Sequence, residues 1–137
     1  MRAVGLDLGT RRIGVATSDP AGILASPYEV VERGRSRADD HRRIAAIVEE
    51  TGAERVVVGL PLSLDGSTGR AARTVLDEVE ELRAALPVPV EVYDERFTTV
   101  TAHQNLMERK MKADARRRVV DKVAAAVLLQ AWLESHG

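Results

Sequence analysis

Residues 54–62, ERVVVGLPL, form an apolar run of strand length that no charged side chain interrupts after Arg55. A strand exposed on one face alternates apolar with polar residues, so a continuous run marks a strand covered on both faces. The chain must therefore supply helices for both sides of a sheet. Before the run, GRSRADDHRRIAAIVEETG sets Ile44, Ile47, Val48 and Thr51 on one helical face. Ser36 with Asp39 offers an N-terminal capping pair, and Gly52 a C-terminal stop. After the run, Ser67 or Thr68 is the expected cap of a helix reaching about Leu86. Its apolar stripe is Ala72, Val75, Leu76, Val79, Leu82 and Leu86, and Pro87 and Pro89 end it.

The opening segment restricts the topology further. Residues 2–8, 12–18 and about 27–32 alternate as strands, the first pair joined by a tight turn around Gly9–Arg12. No crossover helix fits between them, so they must form an antiparallel meander. VEVYDERF reads as a fifth strand. Thr98 or Thr99 is the expected cap of a helix to about Arg109, a basic stretch follows, and a last helix is expected from about Val119 to Ser135. The order predicts an α/β fold: a mixed sheet with helices on both faces. A length of 137 residues predicts one domain, residues 1–137. With one Trp, one Phe and two Tyr, its core must be aliphatic. Cysteine is absent, which excludes disulfides and thiolate metal sites and fits a cytoplasmic location. No signal segment or membrane span is expected from MRAVGLD or from any later run. A net charge of −1 gives no overall attraction to nucleic acid, so such binding would need a local patch.

Acidic residues stand in apolar surroundings at three places. Asp7 lies inside the first strand (VGLDLG), Glu95 closes the fifth (VYDERF), and Asp121 enters the last helix (VVDKVAAAVLL). Asp121 shares a helical face with Ala124, Ala125 and Leu128, small enough in part for the helix to approach the sheet closely. Each has a plain alternative: a buried arginine partner for Asp7, a solvated strand end for Glu95, a favourable first-turn acid for Asp121. Together they suit hard divalent cations, which take carboxylate oxygens, and so metal-assisted phosphoryl chemistry.

GLDLGTRRIGVA, VVGLPLSLDGS, DERFTT and VVDKVAAAVLL, in this order over nearly the whole chain, resemble the YqgF/RuvX family of the RNase H-like superfamily. The resemblance implies a five-stranded sheet of order 3-2-1-4-5 with strand 2 antiparallel. It also implies an Asp–Glu–Asp metal and catalytic triad, here Asp7, Glu95 and Asp121, with Mg²⁺ or Mn²⁺ as cofactor. The implied function is an endonuclease processing the 5′ end of pre-16S rRNA; Holliday-junction resolution is the alternative. The implied partner is nucleic acid, either structured precursor rRNA or branched DNA. A resolvase would need two symmetric sites, hence a homodimer.

Substrate contacts are expected at Thr10 and Arg11 after the first strand, at Ser67 and Arg70 in GLPLSLDGSTGR, and at Arg96. In RKMKADARRR, residues 109–118, Lys110, Lys112, Arg116, Arg117 and Arg118 could grip phosphates, or could simply form a solvated face. His41, His103 and His136 read as surface residues, and Trp132 as core. An actin-like or sugar-kinase ATPase shares LDLGT but needs a second copy of the motif, which is absent. A non-catalytic nucleic-acid-binding module remains as a third reading.

Overall fold

The computed structural model describes residues 1–97 and 113–136, with side chains up to Phe97 and from Val120. Its strands are β1 (Ala3–Leu8), β2 (Arg12–Ser18), β3 (Ala25–Glu32), β4 (Arg55–Leu60) and β5 (Val90–Asp94). Its helices are α1 (Arg37–Thr51), α2 (Arg70–Ala85) and α3 (Ala113–His136). The sheet order is β3-β2-β1-β4-β5, as the resemblance implies. β2 runs antiparallel to both β1 and β3, whereas β4 runs parallel to β1 and β5.

The alternation in β1 and β2 sorts side chains onto two cores. Val4, Leu6, Ile13 and Val15 point to one face, where Ile44 and Ile47 of α1 and Val79 and Leu82 of α2 cover them. Ala3, Ala16 and Val57 point to the other, beneath Ala125, Leu129, Trp132 and Leu133 of α3. Each fully buried aliphatic side chain contributes ~1.5–3 kcal/mol by leaving water. β4 lies between the layers and is buried from Val56 to Leu60. β3 is an exposed edge. It tolerates Pro27, which lacks an N–H, at a register shift against β2.

Ser36 caps α1 by accepting a bond from the Asp39 N–H at 3.2 Å, and Gly52 ends it at φ 69°. The expected cap of α2 is corrected. Gly69 is its N-cap and makes no side-chain capping bond. Ser67 sits earlier, in a turn where the Asp65 carboxylate accepts from its N–H at 2.9 Å. α3 starts at Ala113, earlier than expected, because ADARRR holds no helix breaker and continues the helical register. The fifth strand stops at Asp94, and Glu95–Phe97 turn as a short 3-10 helix. The helix expected over 98–109 lies outside the described residues. Among the described residues, no helix is long and apolar enough to cross a membrane.

Candidate active site

Asp7 stands on the face of β1 that looks toward α3, paired in register with Gly14 of β2. Leu6 pairs with Val58, which brings Gly59 of β4 to the other flank. Both glycines hold space open. A Cβ at Gly14 would lie 2.0 Å from the Asp121 carbonyl oxygen. A Cβ at Gly59 would lie 2.6 Å from the Glu95 carboxylate. A little further down β1, a Cβ at Gly5 would lie 2.8 Å from Leu129 Cβ and 3.1 Å from the Ala125 carbonyl. The missing side chains let the backbone of α3 rest on the sheet beside Asp7, and let Glu95 fold in from the end of β5.

Glu95 and Asp121, from two other elements, thus lie within electrostatic reach of Asp7. Burial, then the charges of Glu95 and Asp121, push the Asp7 carboxyl up to about 7. Glu95 is raised by burial and by Asp94. Asp121 is raised by burial, a rise that Arg12 opposes and Glu32 reinforces. Among the described residues no cation pairs with Asp7 and no group donates a hydrogen bond to it, so the alternative of a buried arginine partner is not met. Among the described residues no group of three or more His, Cys, Asp or Glu side chains is placed to hold a metal ion. Carboxylate oxygens are nonetheless the donors a hard divalent cation takes, and Mg²⁺ commonly keeps several waters beside one or two protein carboxylates.

Two of the predicted substrate contacts lie beside Asp121. Thr10 and Arg11 are exposed at the β1–β2 turn, and with Arg12 and Asp121 they line a depression of about 220 Å³. Arg70 is exposed at the start of α2. Ser67 is exposed in the preceding loop. Arg96 is engaged elsewhere: its Nη2 donates to Asp94 Oδ2 at 2.6 Å and its Nη1 to the Leu64 carbonyl at 3.3 Å. It ties the 61–69 loop to the end of β5. Lys110 and Lys112 lie outside the described residues, as does His103. Arg116, Arg117 and Arg118 belong to the first turns of α3, with side chains outside the described set.

Sequence reasoning missed a buried ion network behind the turn. Arg33 donates from Nε and Nη2 to the Gly9 carbonyl at 3.0 and 2.8 Å. The same guanidinium donates to Glu78 at 2.6 and 2.9 Å and to Asp40 at 3.3 Å. His41 Nε2 lies 2.8 Å from Glu78, and His41 is only 4% exposed, so its reading as a surface residue is corrected. Burial opposes ionisation of Glu78, but bonds from Arg33 and His41 outweigh it and hold the carboxyl below its usual range. The Arg33 N–H also donates to the Arg11 carbonyl at 2.9 Å. The turn carrying Thr10 and Arg11 is thus anchored to α1 and α2 by charge-assisted bonds. Trp132, as expected, is core.

Comparison with known proteins bears on this arrangement. The family model described as "RuvX: Holliday junction resolvase" matches residues 1–135. A protein from Mycobacterium sp. (strain KMS) named "Putative pre-16S rRNA nuclease" is 48% identical over 134 residues, covering 97% of this chain and 79% of that protein. One of the same name from Rhodococcus erythropolis is 49% identical over 137 residues, covering 97% and 77%. Among solved structures, Thermus thermophilus RuvC in complex with a Holliday junction substrate superposes with a TM-score of 0.60 at 17% identity, covering 99% of this chain and 97% of that one. That likeness establishes the RNase H-like fold. With the family model spanning nearly its whole length and relatives this similar, the chain belongs to the RuvX family of nucleases.

Proposed function

We propose that this chain is a divalent-metal-dependent endonuclease that cleaves a phosphodiester bond in structured precursor rRNA, with Asp7, Glu95 and Asp121 as its catalytic and metal-holding residues. The observation that carries the reading is the Asp7 carboxyl. It stands in the central strand without a cation partner among the described residues, flanked by glycines and set against two further acids. A fold does not keep such a group for stability, because an uncompensated charge in a low-dielectric site is destabilising. The rRNA substrate follows the names of the relatives; precursor rRNA would place the protein in the cytoplasm. A four-way DNA junction is the second reading, favoured by the family description, and would call for a homodimer.

Mg²⁺ or Mn²⁺, held by these carboxylates, would supply a water activated near neutral pH and charge stabilisation at the leaving oxygen. The chain's own residues do the rest. Asp7, whose carboxyl is raised by burial, would have to lose its proton to solvent to serve as a ligand. Gly14 and Gly59 let the α3 backbone and Glu95 come in beside Asp7. Thr10 and Arg11, beside Asp121, and Ser67 and Arg70, in the loop before α2 and at its start, bind phosphates along the strand, the cations by charge and the hydroxyls by hydrogen bonding. Arg96, already held by Asp94, orders the loop that presents Ser67. Lys110, Lys112 and Arg116–Arg118 supply further positive charge for the phosphates.

Labelled precursor rRNA and a four-way DNA junction, incubated side by side with Mg²⁺, Mn²⁺ or EDTA, test the reading. Cleavage is expected only with metal and faster on the rRNA. Asp7→Asn, Glu95→Gln and Asp121→Asn should each lower the rate by about 100-fold or more while the protein still melts cooperatively. Undiminished cleavage in two of the three variants would refute the triad.

A further inference from the structure

A cleft of about 730 Å³ opens between α1 and α2, at the ends of β1 and β4. It lies on the face of the sheet opposite the carboxylates, because Leu8, which forms part of its wall, packs with the α1–α2 core while Asp7 points the other way. Pro61 and Val75 continue an aliphatic wall. The polar lining includes Asp40 and Glu78, both paired with Arg33, and Thr10, Arg37 and Arg70. Arg70 makes no ion pair among the described residues. Arg37 is paired only with Glu81, at 3.0 Å, and both are exposed, so the pair is readily exchanged for another anion. Gly9 and Thr10 are shared with the smaller depression that contains Asp121. The β1–β2 turn is thus a low ridge with the acids on one side and the cleft on the other.

This volume and lining suit a ligand with a flat, weakly polar body and an anionic group at the mouth. A strand crossing the ridge presents both parts in sequence. We propose that the cleft receives one unstacked nucleotide of the substrate strand, next to the phosphodiester held at the carboxylates. Its base lies against Leu8, Pro61 and Val75, and its phosphate meets Arg37 and Arg70. The proposal rests on the nuclease reading and adds a base-holding subsite to it. Cleavage then requires a nucleotide free to leave its stack, which duplex interiors do not offer and loops, ends and branch points do. The buried Arg33 network gives the cleft a fixed floor, so the subsite is formed before substrate arrives.

The test uses the isotope-labelled full chain in EDTA, where no cleavage interferes, titrated with adenosine 5′-monophosphate, a short single-stranded RNA, and an abasic strand of the same length. The monophosphate and the RNA should both shift the amide signals of Gly9, Gly34 and Ala71. The abasic strand should bind about tenfold more weakly, as expected when a modest apolar face loses its burial. Ala71→Trp, which fills the cleft, should abolish the response to the monophosphate and remove the preference for bases. Should that variant fail to fold, the Arg37→Ala, Arg70→Ala double variant should lower RNA affinity about tenfold, the loss of two phosphate contacts at moderate salt. Equal affinity for the normal and abasic strands would overturn the proposal. So would a cleft that answers to the monophosphate but not to RNA, since it would then be a site for free nucleotides. Binding without any metal-dependent cleavage of rRNA or junction would sink the nuclease reading while leaving the cleft as a strand-binding subsite. Cleavage with a silent cleft would do the reverse.

Discussion

Replacing Asp7 with Asn removes a charge that the metal-free fold holds at a cost. The carboxyl rises from 3.8 to about 7 on folding, through burial first and the neighbouring acids second. Between those values the folded protein keeps a proton that the unfolded chain has lost, so this group's contribution to stability falls as pH rises through the window. At about 1.4 kcal/mol per pH unit, the full penalty above pH 7 is about 4 kcal/mol. Relaxation of Glu95 and Asp121 once their neighbour is neutral makes about 2–4 kcal/mol the working range. Urea melts of both proteins in EDTA from pH 4 to 8.5 measure it. The variant should lie close to the wild type near pH 4, where folded Asp7 is protonated and the unfolded carboxyl is only about half ionised, and exceed it by that range above pH 7. Acids whose carboxyls are lowered, such as Glu78 and Asp94, lose stabilisation on acidification in both proteins and cancel in the difference. Mg²⁺ at 100 times its dissociation constant should return about 2.7 kcal/mol to the wild type and nothing comparable to the variant. A difference that is flat with pH, or a variant less stable at pH 8, would show that Asp7 carries a structural charge with a partner.

Other perturbations probe the scaffold and the basic flank. Gly14→Ala sets a methyl against the Asp121 carbonyl at 2.0 Å, with only backbone to yield, and should destabilise by about 1–3 kcal/mol in thermal melts while cutting metal-dependent cleavage. Normal cleavage by that variant would mean α3 can lift off the sheet without consequence. Glu78→Gln leaves Arg33 without its main buried counter-charge and should cost about 3–5 kcal/mol by denaturant unfolding, with a looser Gly9 turn seen as faster amide exchange. Unchanged stability would reduce the network to ornament. Arg116, Arg117 and Arg118 replaced together by Ala should make the slope of log affinity against log salt shallower by roughly 2–3, at about 0.7–0.9 per lost phosphate contact. An unchanged slope would return these residues to a solvated helix end.

What could be read from the chain was what local pattern controls. ERVVVGLPL became the strand buried on both faces, and Ser36 and Gly52 bound α1 where their chemistry requires. Ser67 misled because its N–H turns back on Asp65, leaving the bare Gly69 to start α2. Arg33, His41 and Glu78 were invisible for a different reason. Each sits among charged neighbours that look solvated, and their pairing joins segments far apart in sequence. Asp7 was legible because an acid in a strand interior demands an explanation. Gly14 and Gly59 carried a signal that went unused: a glycine inside a strand marks close approach of a ligand or another backbone.

The seat of α3 on Gly5 and Gly14 also sets a clock. Asp7 leaves the ribosome well before Asp121, which lies in the last described helix and reaches the sheet by backbone contact. Domains emerge and begin to fold from the N-terminal side during synthesis. A nascent chain can therefore complete its sheet while the third acid is still inside the exit tunnel. If Asp121 acts as proposed, the acid cluster is completed in one late step, when α3 docks on the sheet.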